Sequence, residues 1–166
     1  MQIRPETPAD VDAITALTAA AFLNAPHTSH TEQFIVNALR AAGQLRVSLV
    51  ATDGVAVLGH VAVSPVTVSD GSTGWYGLGP ISVAPAQQGK GIGSQLMQQA
   101  VAALQVLGAG GCVLLGDPGY YARFGFAPQP GLTLDGVPPE YFMALRLGGP
   151  LPQGTVQYHA AFEATE

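Results

Sequence analysis

Ile81-Ser82-Val83-Ala84-Pro85-Ala86-Gln87-Gln88-Gly89-Lys90-Gly91-Ile92-Gly93 is the stretch on which the fold turns. A strand-like triplet, Ile81 to Val83, runs into Pro85 and a glycine-rich loop. Behind the loop Ile92, Leu96, Met97, Ala100, Val101, Leu104 and Leu107 recur every three or four residues. The period changes from strand to helix, so the segment reads as strand, loop and an amphipathic helix of about four turns that closes near Gly108. Glycines leave the loop N–H groups open, and the first helical turn adds unpaired N–H groups at a positive dipole end. The loop is therefore an anion cradle by its chemistry. Lys90, the one lysine of the chain, adds charge there or points to solvent. A tight turn with close packing at Gly91 and Gly93 calls for the same glycines. A P-loop is excluded, because the spacing and the Gly-Lys-Ser/Thr ending are missing. A dinucleotide fingerprint fits poorly, since the strands before the loop read as antiparallel and no acidic residue ends the following strand.

Working outward, Gly111 to Gly116 is a short apolar strand, so strand, helix and strand form a crossover with parallel pairing. Upstream, Arg46–Ala51, Val55–Val63 and Gly74–Val83 read as a meander with turns at Asp53-Gly54 (a type I′ hairpin signal) and Asp70-Gly71. Pro65 marks an edge or an end of ladder pairing. Ile3 and Arg4 close a first short strand. Thr7, Pro8 and Asp10 open a helix that carries Val11, Ile14, Leu17 and Ala21 and ends near Phe22. Asn24 to Thr31 is a polar loop, and a second helix starts at about Glu32 with Phe34, Ile35, Ala38 and Leu39 on one side. Tyr120 to Phe124 suits a short helix, and Tyr141–Leu147 and Thr155–Phe162 read as the last two strands. The result is a single α+β domain over 1–166 with a mixed sheet, no repeat and no long linker.

Composition narrows the function. Charged residues make up 10% and hydrophobic residues 48%, and the net charge is -5. A typical soluble domain is about 25% charged, so disorder is disfavoured. Six Lys and Arg against eleven Asp and Glu leave no basic footprint for nucleic acid. The single cysteine, Cys112, rules out an intrachain disulfide and reads as a buried thiol. No signal peptide or membrane-length apolar run is visible, which points to the cytoplasm and no membrane partner. Four scattered histidines make no zinc pattern. The apolar composition is compatible with a homodimer.

The stretch Leu78 to Met97 resembles the acetyl-CoA-binding core of the GCN5-related N-acetyltransferase (GNAT) superfamily. That core has Gln or Arg, two variable residues, Gly, one variable residue, then Gly or Ala; Gln88, Gly91 and Gly93 match it. A second motif, Tyr, three residues, then Gly-Phe, is met by Tyr121, Gly125 and Phe126. Leu78-Gly79-Pro80, Gly116-Asp117-Pro118-Gly119-Tyr120-Tyr121, Gly59-His60 and Ser64-Pro65 resemble one branch, the YhbS-like predicted acetyltransferases, and the likeness runs from Ile3 to Phe162. The resemblance implies a mixed, mostly antiparallel twisted sheet of about seven strands with helices on both faces. It implies acetyl-CoA or coenzyme A as cofactor. Amides of Gln88, Gly89, Lys90, Gly91, Ile92 and Gly93 would hold the pyrophosphate, and the main chain of Ile81, Ser82 and Val83 would pair with the pantetheine arm. Tyr121 would protonate the departing thiolate, beside Tyr120. Where many members have Asn, this chain has Asp117, which either binds pantetheine N–H groups or caps the helix at Pro118.

The implied reaction is direct attack of an amine of a small molecule or peptide on the thioester. Many relatives place a Glu on or near the cofactor strand to receive the amine's proton, and Trp75 to Val83 holds none. His60 is a candidate base or a packed histidine with one hydrogen bond. Glu32 is a candidate base or acceptor ligand. His27 and His30 read as loop residues and His159 as structural. Trp75, Tyr76, Phe22 and Phe34 line an acceptor pocket or fill the core. The absent Glu also motivates an alternative, a non-catalytic acyl-CoA-binding or sensing module.

Overall fold

The computed structural model describes residues 1–26 and 28–166, so the reading of His27 lies outside the described residues. After β1 (Gln2–Pro5) the Asp10 carboxylate accepts the Thr7 N–H at 2.7 Å and two guanidinium bonds from Arg4 at 2.7 and 3.0 Å. This fixes the Pro8–Asp10 turn that feeds α1 (Val11–Phe22). α2 (Glu32–Ala41) buries Ile35, Val36 and Leu39; of the side read from the sequence Ile35 and Leu39 are buried, Phe34 and Ala38 are only half-buried, and Val36 takes the third core position. Then come β2 (Val47–Thr52), β3 (Val57–Val68), β4 (Trp75–Val83), α3 (Ile92–Val106), β5 (Gly111–Leu115), α4 (Pro118–Tyr121), β6 (Leu132–Thr133), β7 (Phe142–Arg146) and β8 (Gly154–Tyr158).

The strands form one mostly antiparallel sheet of eight. The extra strand relative to the sequence reading is the two-residue β6, too short to show any alternation. β1 to β4 pair antiparallel in order, β4 and β5 pair parallel across the α3 crossover, and β7 pairs antiparallel with β5. β2 covers one side of β3 as far as Val63, and β8 covers the same side from Val66. Pro65 falls between them, where its missing N–H costs no ladder bond on that side.

Two local readings need correction. The turn after β2 spans Asp53 to Ala56, and only Gly54 has positive φ, whereas a type I′ turn needs two such residues. The Asp53 carboxylate accepts the N–H groups of Val55 and Ala56 at 2.9 and 2.8 Å, and this side-chain turn delays β3 to Val57. The last strand stops at Tyr158. His159 Nδ1 then accepts the Ala161 N–H at 3.0 Å and starts the Ala160–Glu163 turn.

α3 covers one sheet face: Leu96, Met97, Ala100 and Leu104 pack with Val61, Val63, Leu114 and Met143, all at or near zero exposure. α1 and α2 cover the other, where Ile14 and Val36 meet Val50 and Ala62. Each fully buried aliphatic side chain contributes about 1.5–3 kcal/mol, so packing rather than helix propensity holds α3, whose first turn contains Gly93. Cys112 is buried in this core, and burial pushes its thiol up to about 12. Trp75 is 3% exposed and sits in a third cluster with Val113, Phe142 and Val156, which settles it as core.

The feature that positions the site is a split in the sheet. β5 pairs with β4 only at Trp75, Tyr76 and Gly77, while β4 continues to Val83. The register of β3 against β4 also shifts between Val61 and Val63, opposite Leu78 to Ile81. Among the described residues no strand pairs with the outer edge of Leu78–Val83. Among the described residues no helix is long and apolar enough to cross a membrane.

Candidate functional site

The loop from Pro85 to Gly91 joins the free end of β4 to α3. Gly91 is the N-cap of α3 with φ +83, a conformation a side chain adopts only under strain. The first helical bond in the turn runs from Gln95 N–H to Gly91 O at 3.1 Å, and no side chain caps the turn. Its leading N–H groups are therefore open toward a cavity of about 340 Å³ lined by Val83, Gln88, Gly89, Gly91, Ile92, Gly93 and Ser94 on one side. Tyr120 and Arg123 line the other side. Gln88 donates from Nε2 to the Val83 carbonyl at 3.2 Å and so closes the loop on its own strand. Lys90 lies outside this lining, exposed, 3.4 Å from Gln87 Oε1. The cation at the cradle is Arg123, whose guanidinium stacks over the Tyr120 ring at 4.5 Å.

Sequence reading missed Arg123 and Ser94. Arg123 was legible only as a variable residue inside the Tyr-to-Gly-Phe motif. Its side chain reaches the cradle because α4 folds back toward the first turn of α3, where Ser94 Oγ and Tyr120 Oη lie 3.3 Å apart.

Asp117 caps α4, accepting the Gly119 N–H at 2.9 Å. The capped turn presents Tyr120 and Tyr121 as an edge-to-face pair with ring centroids 4.9 Å apart. A Cβ at Gly116 would collide with the Tyr121 ring, so glycine there is what lets the ring lie against the end of β5. The two tyrosines divide two cavities. Tyr120 faces the cradle, and Tyr121 lines a cavity of about 370 Å³ with Phe22, Glu32, Ile35, Ile81, Leu115 and Phe162. Burial raises the Tyr121 hydroxyl above its ordinary value, with Tyr120 and Asp117 adding to it, so Tyr121 stays a proton donor at neutral pH.

Of the proposed acceptor-side aromatics, Phe22 lines this second cavity; Phe34, Tyr76 and Trp75 do not. Ile35, one residue on, takes the place read for Phe34. Glu32 also lines it. Both its carboxylate oxygens lie 2.6 Å from Thr28 Oγ1, which has one proton to give, so acceptor capacity remains.

His60 is fully buried beneath the sheet face that carries α1 and lines neither of these cavities. The Ser48 hydroxyl donates to Glu6 Oε1, and Arg40 holds the same carboxylate at 2.8 and 2.9 Å. Burial pushes the Glu6 carboxyl up, but His60, Arg40 and Ser48 together outweigh it and hold it well below the usual carboxylate range. Ser48 has one proton, and it goes to this ionised carboxylate. His60 Nε2, 2.8 Å from Ser48 Oγ, is therefore the donor in that contact. In neutral His60 the Nδ1 lone pair is then a buried acceptor without a protein partner, and the Ser82 hydroxyl opposite it on β4 is also unpartnered. Glu6, Ser48 and Arg40 carry no sequence signal linking them, because they are brought to His60 from 12 to 54 residues away only by sheet pairing and helix packing. His30 is exposed, and His159 serves its own turn. Among the described residues, no group of His, Cys, Asp and Glu side chains could hold a metal ion.

An acetyltransferase (GNAT) domain model matches residues 44–128. The N-acetyltransferase YhbS of Escherichia coli, itself described as uncharacterized, is 39% identical over 127 residues, spanning 76% of this chain and 73% of that protein. The crystal structure of YhbS in complex with CoA superposes with a TM-score of 0.88 at 34% identity, over 99% of this chain and 93% of that one. A GNAT family acetyltransferase from Brucella melitensis, solved in complex with acetyl-CoA, superposes with a TM-score of 0.86 at 49% identity, over 97% of both chains.

Proposed function

This chain belongs to the GNAT acetyltransferase family, and we propose that it transfers an acetyl group from acetyl-CoA to a primary amine of a small molecule or peptide by direct attack on the thioester. The observation that carries the proposal is the pair of cavities divided by Tyr120 and Tyr121. One is an open helix N-terminus with a cation, suited to a pyrophosphate. The other holds a carboxylate and a protonated phenol, suited to an amine and a leaving thiolate. The Brucella melitensis and Escherichia coli relatives, which bind acetyl-CoA and CoA, support the first assignment.

The residues present fit the cofactor. The amides of Gln88 to Gly93, with Arg123 and Ser94, would hold the pyrophosphate. The unpaired edge of Ile81, Ser82 and Val83 would receive the pantetheine amides as a strand edge receives a peptide. Acetyl-CoA, when bound, supplies the activated acetyl group and the thiolate leaving group. Glu32 holds the amine in its cavity and takes its proton. Tyr121 donates a proton to sulfur. The walls of the cavity fix the approach of the nucleophile.

A second reading for the proton is favoured by the unpartnered Nδ1 of His60. A water between Nδ1 and the Ser82 hydroxyl would make His60, backed by Ser48 and Glu6, the final acceptor. The pH profile of kcat separates the two. Glu32→Gln abolishes the base limb if Glu32 is the base, and His60→Gln abolishes it if the buried relay is. The function itself is tested by calorimetry with acetyl-CoA followed by thiol release in the presence of amines. Tight binding without turnover on any amine or peptide would establish the binding-module alternative instead.

A further inference from the structure

We infer, on the reading that this chain acetylates amines, that its acceptor is a small primary amine on an apolar body and carries no carboxylate or phosphate. Every permanent cation of the chain is placed elsewhere. There are six, and none lines the cavity of Tyr121 and Glu32. Arg4 is engaged by Asp10 at 2.7 Å and Arg40 by Glu6 at 2.8 Å. Arg123 serves the cradle, Lys90 lies on the exposed loop beside Gln87, and Arg146 donates to the Gly149 carbonyl at 2.9 Å. Arg46, which precedes β2, is likewise outside the lining.

An anionic group carried into this cavity would lose its water and gain no counter-ion. It would also face Glu32, the one charged side chain in the lining among the described residues. Both effects oppose binding, because a desolvated charge is costly unless paired and like charges at close range repel. The same carboxylate attracts an ammonium and can relieve it of its proton. Beside Tyr121, Tyr158 and the β4 edge from Gly79 to Ile81, the wall is apolar: Phe22, Ile35, Leu78, Leu115 and Phe162 offer dispersion contact and desolvation gain to a hydrocarbon or aryl body. A volume of about 370 Å³ is at the small end of ligand sites. Free amino acids, phosphorylated amines and acidic peptides are thus the classes the cavity rejects.

The test uses matched acceptors. Thiol release from acetyl-CoA is followed with 2-phenylethylamine, phenylalanine and phenylalaninamide, and acetyl-CoA binding is measured in parallel by calorimetry. Phenylalanine differs from 2-phenylethylamine only by its carboxylate. We expect kcat/KM for 2-phenylethylamine to exceed that for phenylalanine by at least about 10-fold, with the amide between them. The ratio should narrow in Glu32→Gln, and because it is taken within each enzyme, a general loss of activity in that variant cancels. An equal or inverted ratio overturns the inference, as does a ratio that Glu32→Gln leaves unchanged. Turnover confined to carboxylate-bearing acceptors overturns it while leaving acetyl transfer intact. Acetyl-CoA binding with no acetylation of 2-phenylethylamine also overturns it. Failure to bind acetyl-CoA removes the reading on which it rests.

Discussion

The two cavities on either side of the tyrosine pair are built in opposite ways. The cradle comes from one continuous run, Val83 to Ser94, completed by Tyr120 and Arg123. Its polar groups are main-chain amides held by a helix start, which tolerate exchange of most neighbouring side chains. The second cavity, proposed for the acceptor, draws on α1, α2, β4, the end of β5, α4, β8 and the chain after it. Its chemistry is made of side chains delivered from distant segments. A cofactor common to a family suits the first construction, because backbone geometry is set locally. An acceptor particular to one protein suits the second, because each wall can change alone.

Substitutions on either side of the tyrosine pair should separate the two cavities. The largest effect is expected at the shared wall. Tyr121→Phe should lower kcat by roughly 100- to 1,000-fold, the range of a lost general acid, while the acetyl-CoA dissociation constant stays within about 2-fold. Stopped-flow or steady-state kinetics beside calorimetry measures both, and a parallel loss of binding would place Tyr121 in the cradle instead.

Next comes Gly91→Glu. A Cβ there meets no atom within 4 Å, so the cost to the fold is the positive-φ strain of about 1–2 kcal/mol. The carboxylate, however, sits at the proposed pyrophosphate site, and acetyl-CoA affinity should fall by about 100-fold or more with the melting curve still cooperative. Unchanged affinity would remove the pyrophosphate from this loop.

The third effect is on stability. The Glu6 carboxyl is held below its ordinary range in the native state, so its contribution is present above the unfolded value of about 4.3 and lost as pH falls through and below it. Asp10, held low chiefly by its bonds from Arg4, acts in the same direction. Melting temperature should therefore drop between about pH 5 and pH 2, and Glu6→Gln should flatten part of that slope. At pH 7 the variant should lose about 1–2 kcal/mol, allowing for solvent screening of the partly exposed Arg40 pair. A slope identical to wild type would show that the Glu6 carboxyl titrates alike in the native and unfolded states.

The smallest effect is expected at Asp117→Ala, which removes the α4 cap at a cost of about 1 kcal/mol. Cofactor affinity should barely change, and a large loss would mean that Asp117 contacts the cofactor directly.

What could be read from the sequence follows the same division. The 3.6-residue period of α3, the glycine loop before it and the apolar run of β5 are local patterns. Local patterns record local geometry, so the crossover and the open glycine loop at the head of α3 were legible. Glu32 and Phe22 were legible as candidates, from their place beside a polar loop on short helices. Arg123 was not, since nothing in its own neighbourhood distinguishes a cradle cation from a surface arginine. The turn after Asp53-Gly54 was misread because a carboxylate capturing two N–H groups competes with the hairpin turn those residues also suit.

The order of residues alone set the strand-loop-helix joint, the open glycine loop and the tyrosine motif, because each is closed by bonds between residues a few positions apart. Tertiary structure alone decides which tyrosine faces which cavity, that Ser48 and Glu6 stand behind His60, and that among the described residues no permanent cation reaches the wall of the second cavity. Those outcomes depend on the split between β4 and β5 and on helices packed across the sheet, where the partners are dozens of residues apart.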